Sequence, residues 1–159
     1  MPMDKLSKTL IILVLTTSSC SETTRLDSDE FSTAEERVEI LKQEVKCFSD
    51  IKDTEFELFN VNGFHNSSGP LVPGASSWDY KFAIRVDTVD ITKWREGMIK
   101  FDPQDYDDTW TKEITKDRRE NWLTSSPPTY YVRQGEKYVT MVEFYLDGII
   151  FKRVITRDN

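Results

Sequence analysis

Apolar positions recur along this chain at two different periods. Val38, Leu41, Val45 and Phe48 follow one another at spacings of three, four and three, which brings them to one face of a helix. The pattern predicts a helix from Thr33 to Phe48, and Ser32 with Glu35 supplies capping-box spacing at its start. Cys47 lies beside the stripe and reads as a small buried apolar residue rather than a reactive thiol. Elsewhere the period is two. Trp78, Tyr80, Phe82, Ile84 and Val86 alternate with Asp79, Lys81, Ala83, Arg85 and Asp87, a strand with one buried and one wet face. Phe56 to Val61 is an aromatic-rich strand that Asn62-Gly63 closes.

Three more strands are predicted at the C-terminus: Tyr130 to Arg133, Lys137 to Leu146 and Ile149 to Thr156. Gln134-Gly135-Glu136 and Asp147-Gly148 join them. An Asp-Gly pair between apolar runs signals a two-residue hairpin loop with positive φ at both positions. That loop would set Leu146 opposite Ile149, Phe144 opposite Phe151, and Glu143 opposite Lys152, with the phenylalanines turned toward the first helix. In between, Gly63 to Ser77 reads as a long loop, and Asp90 to Glu96 as a short helix closed by Gly97. Residues 98–112 read as irregular and acidic. Glu113 to Leu123 reads as a second short helix that Ser125-Ser126-Pro127-Pro128 breaks. Together these elements predict an α+β fold. An N-terminal amphipathic helix packs on a four- to five-stranded, mainly antiparallel sheet with a C-terminal β-meander.

The first twenty residues follow a different logic. Lys5 and Lys8 precede the apolar run Leu10 to Leu15, and Thr16-Thr17-Ser18-Ser19 leads to Cys20. A basic start, a short apolar core and a small-residue exit make a secretory signal. The apolar run is far shorter than the ~20 residues that span a bilayer. At Cys20 the residues resemble a bacterial lipobox, with Ser18 and Ser19 as the small residues before the cysteine and Thr17 where Leu is usual. The resemblance covers residues 1–20 and implies a lipoprotein, acylated at Cys20 and held at a membrane of the cell envelope. Thr17 and Ser19 also fit ordinary signal cleavage, which would leave a soluble periplasmic or secreted protein. The organisation expected is a signal peptide over 1–19, a polar tether over 20–31 and one domain over 32–159. If Cys20 carries lipid, no intramolecular disulfide can form; if not, a Cys20–Cys47 bridge is open.

Charge narrows the partners. The chain carries 28 acidic and 21 basic residues, a net charge of −7. An acidic surface repels phosphate backbones, so a nucleic-acid partner is not expected, and the partners implied are a membrane and an envelope protein or glycan. With 12% aromatic residues the composition is that of a folded domain. No cofactor motif is present: the chain lacks a glycine-rich phosphate loop, HExxH and CxxC.

Candidate chemistry is sparse. His65 is the only histidine, so any Ser–His–Asp scheme must run through it, yet no G-x-S-x-G elbow accompanies it; the plainer reading is an exposed loop residue. Asp102, Asp105 and Asp107, with Asp108, form an acidic cluster that could draw Ca²⁺. An EF-hand alignment from Asp105 puts Trp110 where Gly is needed and Lys116 where Glu is needed, so a solvated acidic turn fits better. Trp94 and Trp110 lie in the irregular middle region, where flat indoles could stack on a ligand, although core packing explains them as well. Two readings follow. One is a non-catalytic, membrane-anchored binding or interaction module. The other is a small glycosidase-like hydrolase of envelope polymers, using Asp/Glu with aromatic sugar stacking.

Overall fold

The computed structural model describes residues 23–64 and 77–156. All of the period-two segments pair into one antiparallel sheet. Its strands are β1 (Arg25–Asp27), β2 (Asp53–Asn60), β3 (Trp78–Arg85), β4 (Ile99–Lys100), β5 (Thr129–Arg133), β6 (Lys137–Phe144) and β7 (Ile149–Thr156). They lie in the order β1-β2-β3-β7-β6-β5-β4, seven strands where four or five were expected. β7 is central. It pairs with β3 through Ala83↔Phe151 and with β6 through Met141↔Lys152.

The two extra strands come from segments read as polar. β1 pairs Leu26 with Leu58, inside the stretch expected to be a tether, and β4 pairs Ile99 with Val132. The sheet thus begins before residue 32: Leu26 packs on the core and Ser28 is buried.

Both faces of the sheet are covered, which is why the first half of β7, Ile149 to Lys152, is buried without alternation. One face carries Phe56, Leu58, Tyr80, Phe82, Ile84, Met141 and Ile150. It lies beneath helix α1 (Ala34–Glu44) and the helical turn Ile91–Arg95, whose Trp94 is fully buried. The other carries Ala83, Val142, Ile149 and Phe151 beneath α2 (Trp110–Glu113) and the turn Lys116–Trp122.

The helix differs from expectation. It is not the first element, it has eleven residues and ends at Glu44, and its contacts fall chiefly on β2. Its capping box is Thr33 with Glu36, one position later than the Ser32–Glu35 reading; Thr33 Oγ1 accepts from Glu36 N and Glu36 Oε2 from Thr33 N, both at 3.2 Å. Val45 and Phe48 lie beyond the helix end, in bends, and pack against the core as partly buried residues.

The C-terminal hairpin also differs. Phe144 pairs with Ile149 and Val142 with Phe151, so the register is two residues from the expected one. Tyr145–Asp147 form a helical turn that Gly148 closes at φ 65°, and Asp147 keeps an ordinary negative φ. A shift of two preserves the faces. Phe144 and Phe151 still meet, diagonally, with ring centroids 6.0 Å apart. Their face lies under Trp110 and Trp122, however, not under α1.

Candidate functional site

The most unusual position in the sheet is Lys152. Being central on β7 and inward-pointing, it is only 5% exposed. Its Nζ donates to the Trp94 carbonyl at 3.4 Å and sits over the rings of Phe48, at 5.1 Å, and Trp94, at 5.7 Å. No carboxylate bonds to it among the described residues. Burial pushes its ammonium down to about 8; the nearby charges of Arg133 and Lys46 add to the effect, and Glu96 opposes it.

Lys152 forms part of the wall of a recess of about 350 Å3. The recess opens on the α1 face, between the chain that leaves the helix and the ends of β3, β6 and β7. Its apolar wall is Val45, Phe48, Trp78, Tyr80, Phe82 and Val154. The alternation of β3 puts its three aromatic residues on this face, and the chain after α1 brings Phe48 against Trp94 at 5.3 Å. The polar rim is Lys46, Arg133 and Lys137 with Glu44 and Glu96. Lys46 and Glu96 neutralise each other at 2.9 Å, and Lys137 lies 4.2 Å above the Trp78 ring. Burial raises both the Glu44 carboxyl and the Tyr80 hydroxyl, which favours their neutral forms. Trp78 Nε1 is buried with no hydrogen-bond partner among the described residues. The recess thus offers an apolar body and, among the described residues, three cations without carboxylate partners, Arg133, Lys137 and Lys152.

The other polar clusters are internally balanced. On the opposite face Arg25, Asp27, Glu30, Glu57, Asp79 and Lys81 line a hollow of about 440 Å3. There Glu57 is 3.3 Å from Lys81, and Asp79 takes two bonds from Arg153 at 2.9 and 2.8 Å. The buried Glu55 is filled by Arg118 at 2.6 Å to each oxygen and by Ser28 Oγ at 2.7 Å. The buried Glu143 accepts from Arg95 at 2.8 and 2.5 Å, not from Lys152 as the expected hairpin register would have it. These carboxylates are structural.

Several sequence candidates fall away. Trp94 and Trp110 are core residues: Trp94 Nε1 donates to Ser49 Oγ at 2.9 Å, and Trp110 Nε1 to Tyr106 Oη at 3.1 Å, so neither ring is open to a stacking ligand. Asp102 accepts from Gln104 at 3.4 Å, and Asp107 accepts from Thr109 N at 3.0 Å, a bond that lowers its pKa. Asp105 lines a shallow hollow beside Asp102. Among the described residues no group of three or more acidic, His or Cys side chains is placed to hold a metal ion; Asp105 lies in a turn, with Asp102 and Asp107 in irregular chain on either side. His65 and Cys20 lie outside the described residues, as does most of the Gly63–Ser77 loop. Cys47 is half-buried and free, and burial raises its thiol pKa.

Sequence reasoning passed over Lys152, Arg133 and Trp78. Lys152 sits in the apolar frame Ile149-Ile150-Phe151-Lys152-Arg153-Val154, and a lysine on the even, inward face was the available signal. Comparison with known protein families, with curated proteins and with solved structures finds no match to this chain.

Proposed function

We propose that this chain is a non-catalytic binding module of the bacterial cell envelope, anchored to a membrane by lipid on Cys20, with the Lys152 recess as its ligand site. The observation that carries the reading is the recess itself. A buried lysine with no carboxylate partner is costly to keep unless something binds it, whereas the other buried charges are matched internally. The basic–apolar–small–Cys order of residues 1–20 supports export and anchoring. Against a glycosidase-like hydrolase stand the arginine-filled carboxylates Glu55 and Glu143 and the buried indoles of Trp94 and Trp110.

The test has two arms. Cells expressing the chain are labelled with a palmitate analogue and fractionated. The wild type is expected to be tagged and in the membrane fraction, and Cys20→Ser untagged and soluble. An untagged, soluble wild type overturns the anchor. The protein is also incubated with peptidoglycan and with β-linked glycan oligomers, and reducing ends are counted. Release above the buffer control that disappears in an Asp/Glu variant overturns the non-catalytic reading.

A further inference from the structure

We infer that the Lys152 recess binds a small organic anion whose head is a carboxylate or phosphate and whose body is an apolar chain or ring of medium length. The inference rests on the binding-module reading and adds the chemical class of the ligand.

The geometry supplies each part. At the polar end, Lys152 is 5% exposed and uses one N–H on the Trp94 carbonyl at 3.4 Å, leaving donor capacity toward the recess. Arg133 shares the wall and has no carboxylate partner among the described residues. Two such cations cannot serve one another. Their mutual repulsion contributes to the depressed Lys152 pKa, and an anion between them would remove it. At the apolar end Phe48, Trp78, Tyr80 and Phe82 form an aromatic wall, continued by Val45 and Val154. A volume of about 350 Å3 lies near the lower end of ligand cavities and suits a small molecule. A sugar would need matched donors and acceptors along its ring, and the wall is apolar. A cation would meet Lys46, Lys137, Lys152 and Arg133 with Glu44 and Glu96 as the opposing acids. Of these, Glu96 is committed to Lys46 and burial raises the pKa of Glu44. The chain is acidic as a whole, so this basic recess runs against the general charge.

The ligand's affinity is also tied to pH. The titratable groups lining the recess with Lys152 are Lys46 and Glu44 from the α1 side, Tyr80 from β3, Glu96 after the turn Ile91–Arg95, Arg133 from β5 and Lys137 from β6. Burial brings the Lys152 ammonium down to about 8. Binding of the anion is therefore strongest below that pH and weakens as pH rises through it.

The experiment uses the Cys20→Ser chain purified without detergent, since detergents are themselves amphiphiles. Decanoate, decyl phosphate and 1-decanol are titrated by calorimetry. Either anion, or both, is expected to bind at one site. The ratio of the two affinities tells a fatty carboxylate from a phosphate ester, and 1-decanol is expected at least tenfold weaker. Lys152→Met is expected to weaken the anion tenfold or more, Arg133→Gln several-fold, and Lys81→Gln on the opposite face not at all. Between pH 7 and 9.5 the wild-type affinity is expected to fall tenfold, and that of Lys152→Met to stay flat. Equal binding of 1-decanol overturns the inference. So does unchanged affinity in Lys152→Met and Arg133→Gln, or an affinity independent of pH. If neither anion binds while the chain remains membrane-anchored and without hydrolysis, the ligand class fails and the binding-module reading stands. If Lys152→Met does not fold, Arg133→Gln and the wild-type pH series still decide.

Discussion

Lys152 shows how a single buried charge can lower stability. An unfolded lysine titrates near 10.5, and in the folded protein burial pulls the ammonium down to about 8. Below pH 8 both states are charged and the folded state bears the full desolvation cost. Between pH 8 and 10.5 the unfolded chain binds the extra proton, so stability rises with pH across that window. The shift corresponds to about 3 kcal/mol at most. Lys152→Met keeps the stem and removes the charge. It is expected to stabilise the protein at pH 7 by about 1–3 kcal/mol and to flatten the rise above pH 8. Urea denaturation at pH 7 and pH 9.5 checks both. A destabilised Lys152→Met would mean that the ammonium is a structural anchor, held by the Trp94 carbonyl and the Phe48 ring. Little of this could be read from the sequence, where Lys152 looks like any basic residue within a strand. Its burial depends on β3 and β6 flanking β7 and on Phe48 closing over the top.

At the scale of elements, the C-terminal hairpin joins the two faces. Gly148 adopts φ 65°, its N–H donates to Tyr145 O and its carbonyl accepts from Val86 N. A Cβ there would stand 2.5 Å from the Val86 carbonyl oxygen, so the position requires glycine for space as well as for φ. Asp147 is held just before it. Burial opposes its charge, but the hydroxyls and amides of Ser126 and Ser125 outweigh that and bring its carboxyl to about 2. Gly148→Ala is expected to cost on the order of 1–2 kcal/mol from backbone strain, and Gly148→Val more, because the branched side chain meets Val86 and Thr88. The same hairpin ranks two phenylalanines. Phe151 is 5% exposed between Trp110 and Trp122, and its truncation to Ala is expected to cost about 3–5 kcal/mol. Phe144 is half-buried at the margin, and Phe144→Ala is expected to cost less than Phe151→Ala. Chemical denaturation of the four variants orders them. Gly148→Ala within half a kcal/mol of wild type would contradict the close approach to Val86. The turn was legible from Asp147-Gly148, but its length was not. Tyr145 and Leu146 continue the apolar run of β6 in sequence and are exposed in the loop.

For the molecule as a whole, the seven-stranded sheet starts earlier than the polar composition of residues 21–31 suggests. β1 covers the edge of β2, Asp27 caps the turn Ser28–Glu30, and Ser28 closes the Glu55 site together with Arg118 and Trp122. Removing residues 1–31 would expose the β2 edge and leave Glu55 short of one donor. The truncated chain is expected to lose on the order of 2–4 kcal/mol and to self-associate through the bared edge, measured by urea denaturation and by sedimentation. A chain starting at Ser32 that is as stable as one starting at Ser21 would restore the view that the segment is only a tether. The two extra strands were hidden because each is short and reads as polar. β1 is Arg-Leu-Asp and β4 is Ile-Lys, and pairing partners far along the chain, not local propensity, make them strands.

The sequence by itself determined the long strands and the faces they turn. Period-two alternation in β3 needs no partner to declare which side is apolar, and a register error of two in the hairpin left Phe144 and Phe151 on their common face. It determined the helix start to within one residue through its cap, and it set the expectation of an α+β class, which the antiparallel sheet with its few helices matches. Only the tertiary structure decided the rest. Strand order placed β7 at the centre, so a lysine lost its water. The chain after α1 brought Phe48 over it, and β5 delivered Arg133 from a position unrelated in sequence. A candidate site of this kind arises where side chains from six separate segments converge on one cavity. Convergence is a property of long-range pairing, and no local pattern of residues carries it.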